Sequence, residues 1–402
     1  ILYFIGLTES YEGEGYDRKN LKIPQNQEEL LAEIAETVGK DHIAAISFGG
    51  APMDYSFEKN VGAILHMYLG GQAVGESVAD LISGEVNPSG KLAETIPFSE
   101  KDTPAWRYFA PPNDDVEYRE SIFVGYRYYE TFHVPVKYPF GYGLSYTSFS
   151  YSELNVPEVY SGGKIQIRFK IKNIGKVSGA EIAQLYICPI ESDVIRSHIE
   201  LKGFQKIYLH PGEEKEVILE LDERSFSVYD VEKKAFSMLS GKYQICIGAS
   251  VHDLQLKANM EVVGNSYFRN ERELFPDYFR EQPHGMEISA EQFYQLLGGE
   301  PKHDKEKKRG EYTVYDSYQD VVNVSMFGKF VRGVVHIGLK IILRGKSERD
   351  PAFKMVKMGV EEGNLEGLIA TSGGIATPKL IDMLVYNANK KYLQAFKRLL
   401  KK

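Results

Sequence analysis

From Lys164 to Ile171 the chain alternates polar and apolar residues without a break (Lys-Ile-Gln-Ile-Arg-Phe-Lys-Ile). A period of two puts every second side chain on one face, which a strand can bury and a helix cannot. The same alternation returns in Glu216-Val217-Ile218-Leu219-Glu220-Leu221, and Gly212 and Gly241 mark turns between such runs. Several strands at this spacing predict an antiparallel β-sandwich over residues 148–263.

The first hundred residues obey a different rhythm. Ile1 to Leu7 and Ile43 to Phe48 are short apolar runs that read as buried strands, and Val61 to Leu65 begins a third. Between them, Asn26 with Glu29 three residues on has the form of a capping box. Leu30, Leu31, Ile34, Ala35 and Val38 then mark an apolar helical face. A second helix is expected from Ala73 to Ile82, after Gly70-Gly71. Strand, helix, strand, helix with short glycine-containing links predicts an α/β fold, a partial parallel sheet with covering helices. Three strands are few for a doubly wound sheet, so an exposed apolar sheet edge is expected. Residues 101–147 read as an irregular connector.

Beyond residue 263 the reading is a linker over 264–312, with residues 300–312 dense in charge, and then a helical C-terminal region over 313–402. Phe327 to Leu343 is apolar except for Lys329, Arg332, His336 and Lys340, which recur at helical spacing. That pattern fits a helix docked on the protein's own core or on a second subunit, and also a helix lying on a membrane surface. Thr377 and Pro378 are placed to start a final helix running to Lys402.

A net charge of −8 over 402 residues argues against nucleic acid as a partner. The only two cysteines, Cys188 and Cys246, sit in β-like runs and read as reduced core thiols, which favours a cytoplasmic setting. Neither they nor the nine histidines have metal-ligand spacing. His42, His66 and His133 are isolated and read as structural.

The segment with chemical content is Gly13-Glu14-Gly15-Tyr16-Asp17-Arg18. It follows the first strand, and the carboxyl ends of strands are where α/β folds place their chemistry. Glycine on both sides lets the backbone bend sharply around one acidic side chain. Taken alone, the hexapeptide also fits a surface turn with a solvated glutamate. Further along come Tyr68-Leu69-Gly70-Gly71-Gln72-Ala73, Val86-Asn87-Pro88-Ser89-Gly90-Lys91-Leu92 with Thr95 and Pro97, Ile122-Phe123-Val124-Gly125-Tyr126-Arg127-Tyr128-Tyr129, and Pro139-Phe140-Gly141-Tyr142-Gly143-Leu144-Ser145-Tyr146-Thr147. In this order and at these separations the phrases resemble glycoside hydrolase family 3, the β-glucosidase family, over roughly residues 1–263.

The resemblance implies that residues 1–147 are the C-terminal half of an α/β sandwich domain with its connector. It implies a fibronectin type III-like domain over 148–263, whose phrases include Leu201-Lys202-Gly203-Phe204 and Pro211-Gly212-Glu213. It implies hydrolysis of terminal non-reducing β-D-glucosyl residues, with an oligosaccharide or β-glucoside as substrate and no cofactor. Retaining glycosidases use two carboxyl groups about 5 to 5.5 Å apart. The family's nucleophile is an Asp in a Ser-Asp-Trp phrase on a (β/α)8 barrel. This chain has no such phrase: its single Trp, Trp106, follows Ala105. The general acid/base of the family corresponds to Glu14, ahead of Glu12 and Glu9, while Asp17 and Arg18 read as an ion pair holding the loop. Tyr16 and Tyr55 are the candidate substrate-binding residues. Tyr55 or Phe57 stands where the family usually places a Trp. The expectation is the C-terminal part of a longer retaining β-glycosidase, inert without its N-terminal barrel, with a homo-oligomer among the options. The rival reading is a non-catalytic carbohydrate-binding or interaction module. A nucleotide-binding protein is disfavoured because there is no Walker or Gly-x-Gly-x-x-Gly phrase. The Asn87–Lys91 and Phe140–Gly143 phrases read as rigid turns seating one domain on another.

Overall fold

The structure, a computed structural model, describes residues 1–8, 11–13, 18, 20–109, 116–264, 270–301, 307–343 and 350–400. The chain divides into two compact units, Ile1–Phe4 with Glu28–Pro301 and Ile5–Gln27 with Lys302–Lys402. The architecture is the expected α/β part, antiparallel β-sandwich and helical C-terminal region.

The α/β part opens with β1 (Leu2–Gly6), α1 (Gln25–Val38), β2 (Ala44–Phe48), β3 (Ala63–His66) and α2 (Val74–Ser83). The sheet order is β1-β2-β3, with β2 and β3 parallel and Ser47 opposite His66. Leu2 and Phe4 are exposed, as the short sheet led us to expect. Two details depart from the sequence reading. Helix α1 starts at Gln25, one residue after Pro24, so Asn26 lies inside the first turn and is not its cap. Of the expected apolar face only Leu31 is buried, while Leu30 and Val38 are open.

The connector is more ordered than its composition indicated. β4 (Ile96–Pro97) pairs antiparallel with β5 (Val136–Tyr138), and between them lies α3 (Tyr126–Thr131). The sandwich comprises β6 (Phe149–Asn155), β7 (Val159–Tyr160), β8 (Ile165–Asn173), β9 (Gly179–Pro189), β10 (Glu200–Leu209), β11 (Glu214–Leu221), β12 (Ser227–Asp230), β13 (Ala235–Met238), β14 (Gly241–Gly248) and β15 (Leu254–Val262). One sheet has the order β10-β9-β14-β15-β7 and the other β11-β8-β6. Ile167, Phe169 and Ile171 of β8 meet Leu185, Ile187 and Ile245 of the other sheet in a closed core. The intervening polar residues face water and pair across strands, as in Arg168 with Glu216 at 3.1 Å. Strand β9 is buried on both faces, because Tyr126, Phe140, Ile199 and Val251 cover its outer side. Cys188 and Cys246 lie there, both buried and free, with their Sγ atoms 3.8 Å apart. Their hydrogen bond and burial hold the Cys188 thiol protonated, well above its ordinary pKa.

Residues 270–301, read from sequence as linker, are a packed element. Here lie α4 (Glu271–Leu274) and α5 (Ala290–Leu297). Phe275, Tyr278, Met286 and Ile288 form one core with Phe123, Tyr128 and Tyr129. Tyr128 donates to the Gln282 carbonyl at 2.6 Å, and Arg119 to that of Ile288 at 2.8 Å. High charge further on masked a run whose aromatic residues have a surface to bury against.

The helical region contains α6 (Tyr318–Asn323), α7 (Met326–Ile342), α8 (Pro351–Glu361), α9 (Leu365–Thr371), α10 (Pro378–Ala388) and α11 (Tyr392–Leu400). Its core joins Val321, Val322, Leu365, Ile381 and Leu384. Gly328 lets α7 approach α6: a Cβ there would stand 2.4 Å from the Val322 carbonyl oxygen. Thr377 caps α10 as expected, accepting from the Leu380 amide at 3.3 Å. The helix does not continue to the end of the chain. Lys390 takes φ 58, and the Asn389 side chain turns aside to bind Tyr312 through both its amide and its carbonyl.

Candidate functional site

Glu14 and Tyr16 lie outside the described residues, as do Glu9 and Asp17. What the structure describes is how their loop is entered and left. The Gln27 side-chain amide clamps the end of β1, accepting from the Gly6 amide at 2.9 Å and donating to the Gly6 carbonyl at 3.1 Å. Thr8 then starts a tight turn, its carbonyl accepting from Tyr11 and Glu12 at 2.8 and 3.0 Å. Ile23 is buried at the exit, immediately before Pro24 and α1. The entry is thus held by hydrogen bonds between β1 and α1, and the exit by the burial of Ile23.

Tyr55 sits at the carboxyl end of β2 and β3, the edge of a parallel sheet that serves ligands. Its surroundings are closed. The residue is 3 % exposed, and Phe57 beside it is fully buried. The Tyr55 hydroxyl lies 2.8 Å from His66 Nδ1, with Ser47 Oγ on the same nitrogen at 3.0 Å. Tyr138 packs edge-on at 5.5 Å. Neither Tyr55 nor Phe57 offers a ring face to solvent, so a stacking platform for sugar is not what this position provides. Burial lowers the His66 pKa from 6.5 to about 4, which keeps the imidazole neutral in ordinary buffers. Glu58 is buried enough to be pushed up, but Lys137 and the Tyr138 hydroxyl at 2.6 Å hold it below its ordinary value. Burial, with the charge of Glu94, pushes Tyr68 up to about 12. These groups hold one another in place; none is poised to exchange a proton near neutrality.

Sequence reasoning missed this network and treated His66 as solitary. The available signal was the pairing register, since Ser47 and His66 end two adjacent parallel strands.

The two turn phrases behave as expected. The Asn87 side chain donates to the Ser178 carbonyl at 3.0 Å and accepts from the Tyr146 amide at 2.8 Å. Lys91 donates to the Gly143 carbonyl at 2.9 Å and pairs with Glu181 at 3.0 Å. A Cβ on Gly143 would stand 2.3 Å from the Gly90 oxygen. This seam fastens the α/β part to the sandwich and leaves no open site. A separate crevice of about 1180 Å³, lined by residues that include His133, Arg196, His198, Lys242 and Tyr278, contains none of the candidates. Among the described residues no cluster of three or more His, Cys, Asp or Glu is arranged to hold a metal.

Comparison with known proteins gives these features a context. Residues 1–146 match the glycosyl hydrolase family 3 C-terminal domain, and residues 181–251 a fibronectin type III-like domain. The chain is 44% identical over 261 residues to thermostable beta-glucosidase B of Acetivibrio thermocellus, covering 64% of this chain and 34% of that protein. It is 37% identical over 265 residues to an exo-alpha-(1->6)-L-arabinopyranosidase of Bifidobacterium breve, covering 66% and 35%. Its fold is similar to the crystal structure of a family 3 beta-glucosidase from Bifidobacterium adolescentis, with a TM-score of 0.63 and 37% identity over 66% of this chain and 39% of that one. The chain thus spans about a third of the length of the curated relatives it matches.

Proposed function

Since this chain belongs to glycoside hydrolase family 3 through its α/β and fibronectin type III-like parts, we propose that it is the C-terminal part of a retaining β-glycosidase and that Glu14 is the general acid/base. The reading rests above all on one observation. The phrase Gly13-Glu14-Gly15-Tyr16-Asp17-Arg18 falls inside the matched family domain, in the link between the first strand of its sheet and α1. The clamp of Gln27 on Gly6 supports it, because a proton donor must be held within hydrogen-bond reach of the glycosidic oxygen.

In this proposal Glu14 protonates the departing oxygen and then, as carboxylate, draws a proton from the water that hydrolyses the glycosyl-enzyme. Tyr16 contacts the sugar. The nucleophilic carboxylate and most contacts to the terminal sugar come from a barrel outside this chain, and residues 148–263 brace the α/β part without touching substrate. A terminal β-glucosyl unit is the proposed substrate. Similarity to proteins named for two different sugars supports placing sugar choice in the part not in this chain.

The test is Glu14→Gln in the complete protein. Turnover of an alkyl glucoside should fall by about a thousandfold, the middle of the range for loss of general acid catalysis. An activated aryl glucoside should lose far less in its first step, with azide restoring the second. Unchanged alkyl glucoside turnover would exclude Glu14. Glucoside hydrolysis by the 402-residue chain alone would exclude the barrel requirement.

A further inference from the structure

Two helices of the C-terminal unit carry large apolar side chains on the outside. On α7, Met326, Phe330, Val334, Ile337 and Ile341 are all more than half exposed. At 100° per residue they fall in one arc of the helix. A second arc, Phe327, Val331 and Val335, packs on the unit's own core. The third holds Lys329, Arg332, His336 and Lys340. Docking on its own core therefore accounts for only half of the apolar surface of α7.

Helix α11 is turned inside out. Tyr392, Leu393, Phe396, Leu399 and Leu400 are exposed, whereas its buried residue is Ala395. Its link to α10 includes Arg398, whose Nε donates to Asp382 at 2.8 Å. A helix meant for water has the opposite arrangement, large apolar groups inward and charges outward. Such a surface is complete only when something apolar covers it.

Charge identifies the cover. The chain as a whole carries −8, yet residues 326–343 contain three bases and no acid, and residues 384–402 contain six bases and no acid, five of them besides the Arg398 that pairs with Asp382. A second copy of the same face would bring like charges together around the stripe, which opposes self-association. A surface of anionic headgroups over acyl chains complements both features at once.

We propose that α7 and α11 seat the C-terminal unit on an anionic phospholipid bilayer, with the two apolar stripes entering the headgroup–acyl boundary and the flanking bases meeting lipid phosphates. A groove of about 460 Å³ beside the basic arc of α7 is lined by Lys329, Arg332, His336 and Lys357 with Glu361 as the single acid, so bases prevail where a headgroup would lie. The helices lie on the surface and do not cross it: no described helix is long and apolar enough to span a membrane.

The experiment is flotation of the complete protein with phosphatidylcholine vesicles, with and without about 30% phosphatidylserine. Flotation is expected with the anionic vesicles only, and raising salt to about 0.5 M should release the protein. Ile337→Glu combined with Phe396→Glu should abolish it, and Lys329→Glu combined with Lys340→Glu should weaken it by about tenfold or more. Far-UV circular dichroism and a cooperative melt verify that each variant is folded. Failure to float on anionic vesicles overturns the proposal, as does equal flotation on both vesicle types. A dimer in light scattering that Ile337→Glu splits, with no flotation, assigns the face to a second copy instead.

Discussion

The β-sandwich and the C-terminal helical unit treat similar side chains in opposite ways. In the sandwich, Phe169 and Phe226 are enclosed on every side. In the helical unit, Leu384 is 1 % exposed, but Leu393, nine residues on, is 68 % exposed. The sandwich closes its apolar surface against its own second sheet. The helical unit closes one face of α7 and leaves α11 facing out. Apolar periodicity thus marks a surface that requires a cover, and the cover can lie in the same unit or outside it.

Substitutions test the contrast directly. The largest effect is expected for Phe169→Ala, which empties a fully buried site and should cost about 4 kcal/mol in urea unfolding. A cost near zero would deny the sandwich its closed core. Leu384→Ala should cost about 3 kcal/mol, because the helical unit does have a core of its own.

A pH titration examines a third, polar kind of packing. The folded pKa of His66 is lowered to about 4, so the unfolded chain takes up a proton below pH 6.5 that the folded chain refuses. Stability should therefore fall with pH between those values and level off beneath them. Discounted for partial exposure, the loss between about pH 7 and pH 5 is about 1 kcal/mol. His66→Gln should flatten that part of the profile, and an unchanged slope would assign it to another group. The smallest effect is expected for Leu393→Ser, within about 0.5 kcal/mol of the parent. A loss comparable to that of Leu384→Ala would mean that α11 is covered in solution by the unit itself.

Much of the fold was legible because period and phrase report local constraints. The alternation at 164–171 placed a strand within a residue or two, and Thr377-Pro378 placed a helix start. The Phe140–Gly143 phrase was legible as a rigid seam turn: Gly141 takes a positive φ, and at Gly143 the Gly90 backbone leaves no room for a Cβ. What could not be read was the identity of the covering surface. Leu30 and Val38 lie on the same apolar helical face as Leu31, yet only Leu31 is buried. Residues 264–312 read as linker, although the aromatics of 270–301 have the Phe123–Tyr129 cluster to meet. At the candidate site, Glu14 was legible only through its phrase. The closed pocket around Tyr55 depends on register between strands nineteen residues apart, as the Ser47–His66 pair shows, and no local pattern encodes that.

The paired thiols of the sandwich provide a reporter that ignores the rest of the molecule. Cys188 and Cys246 are the only cysteines of the chain and both are shielded. A maleimide can therefore modify them only as fast as the strands around them open. Alkylation kinetics will time the opening of that one domain while the cysteine-free helices melt unseen, so the sandwich can be clocked apart from the helical unit in the same sample.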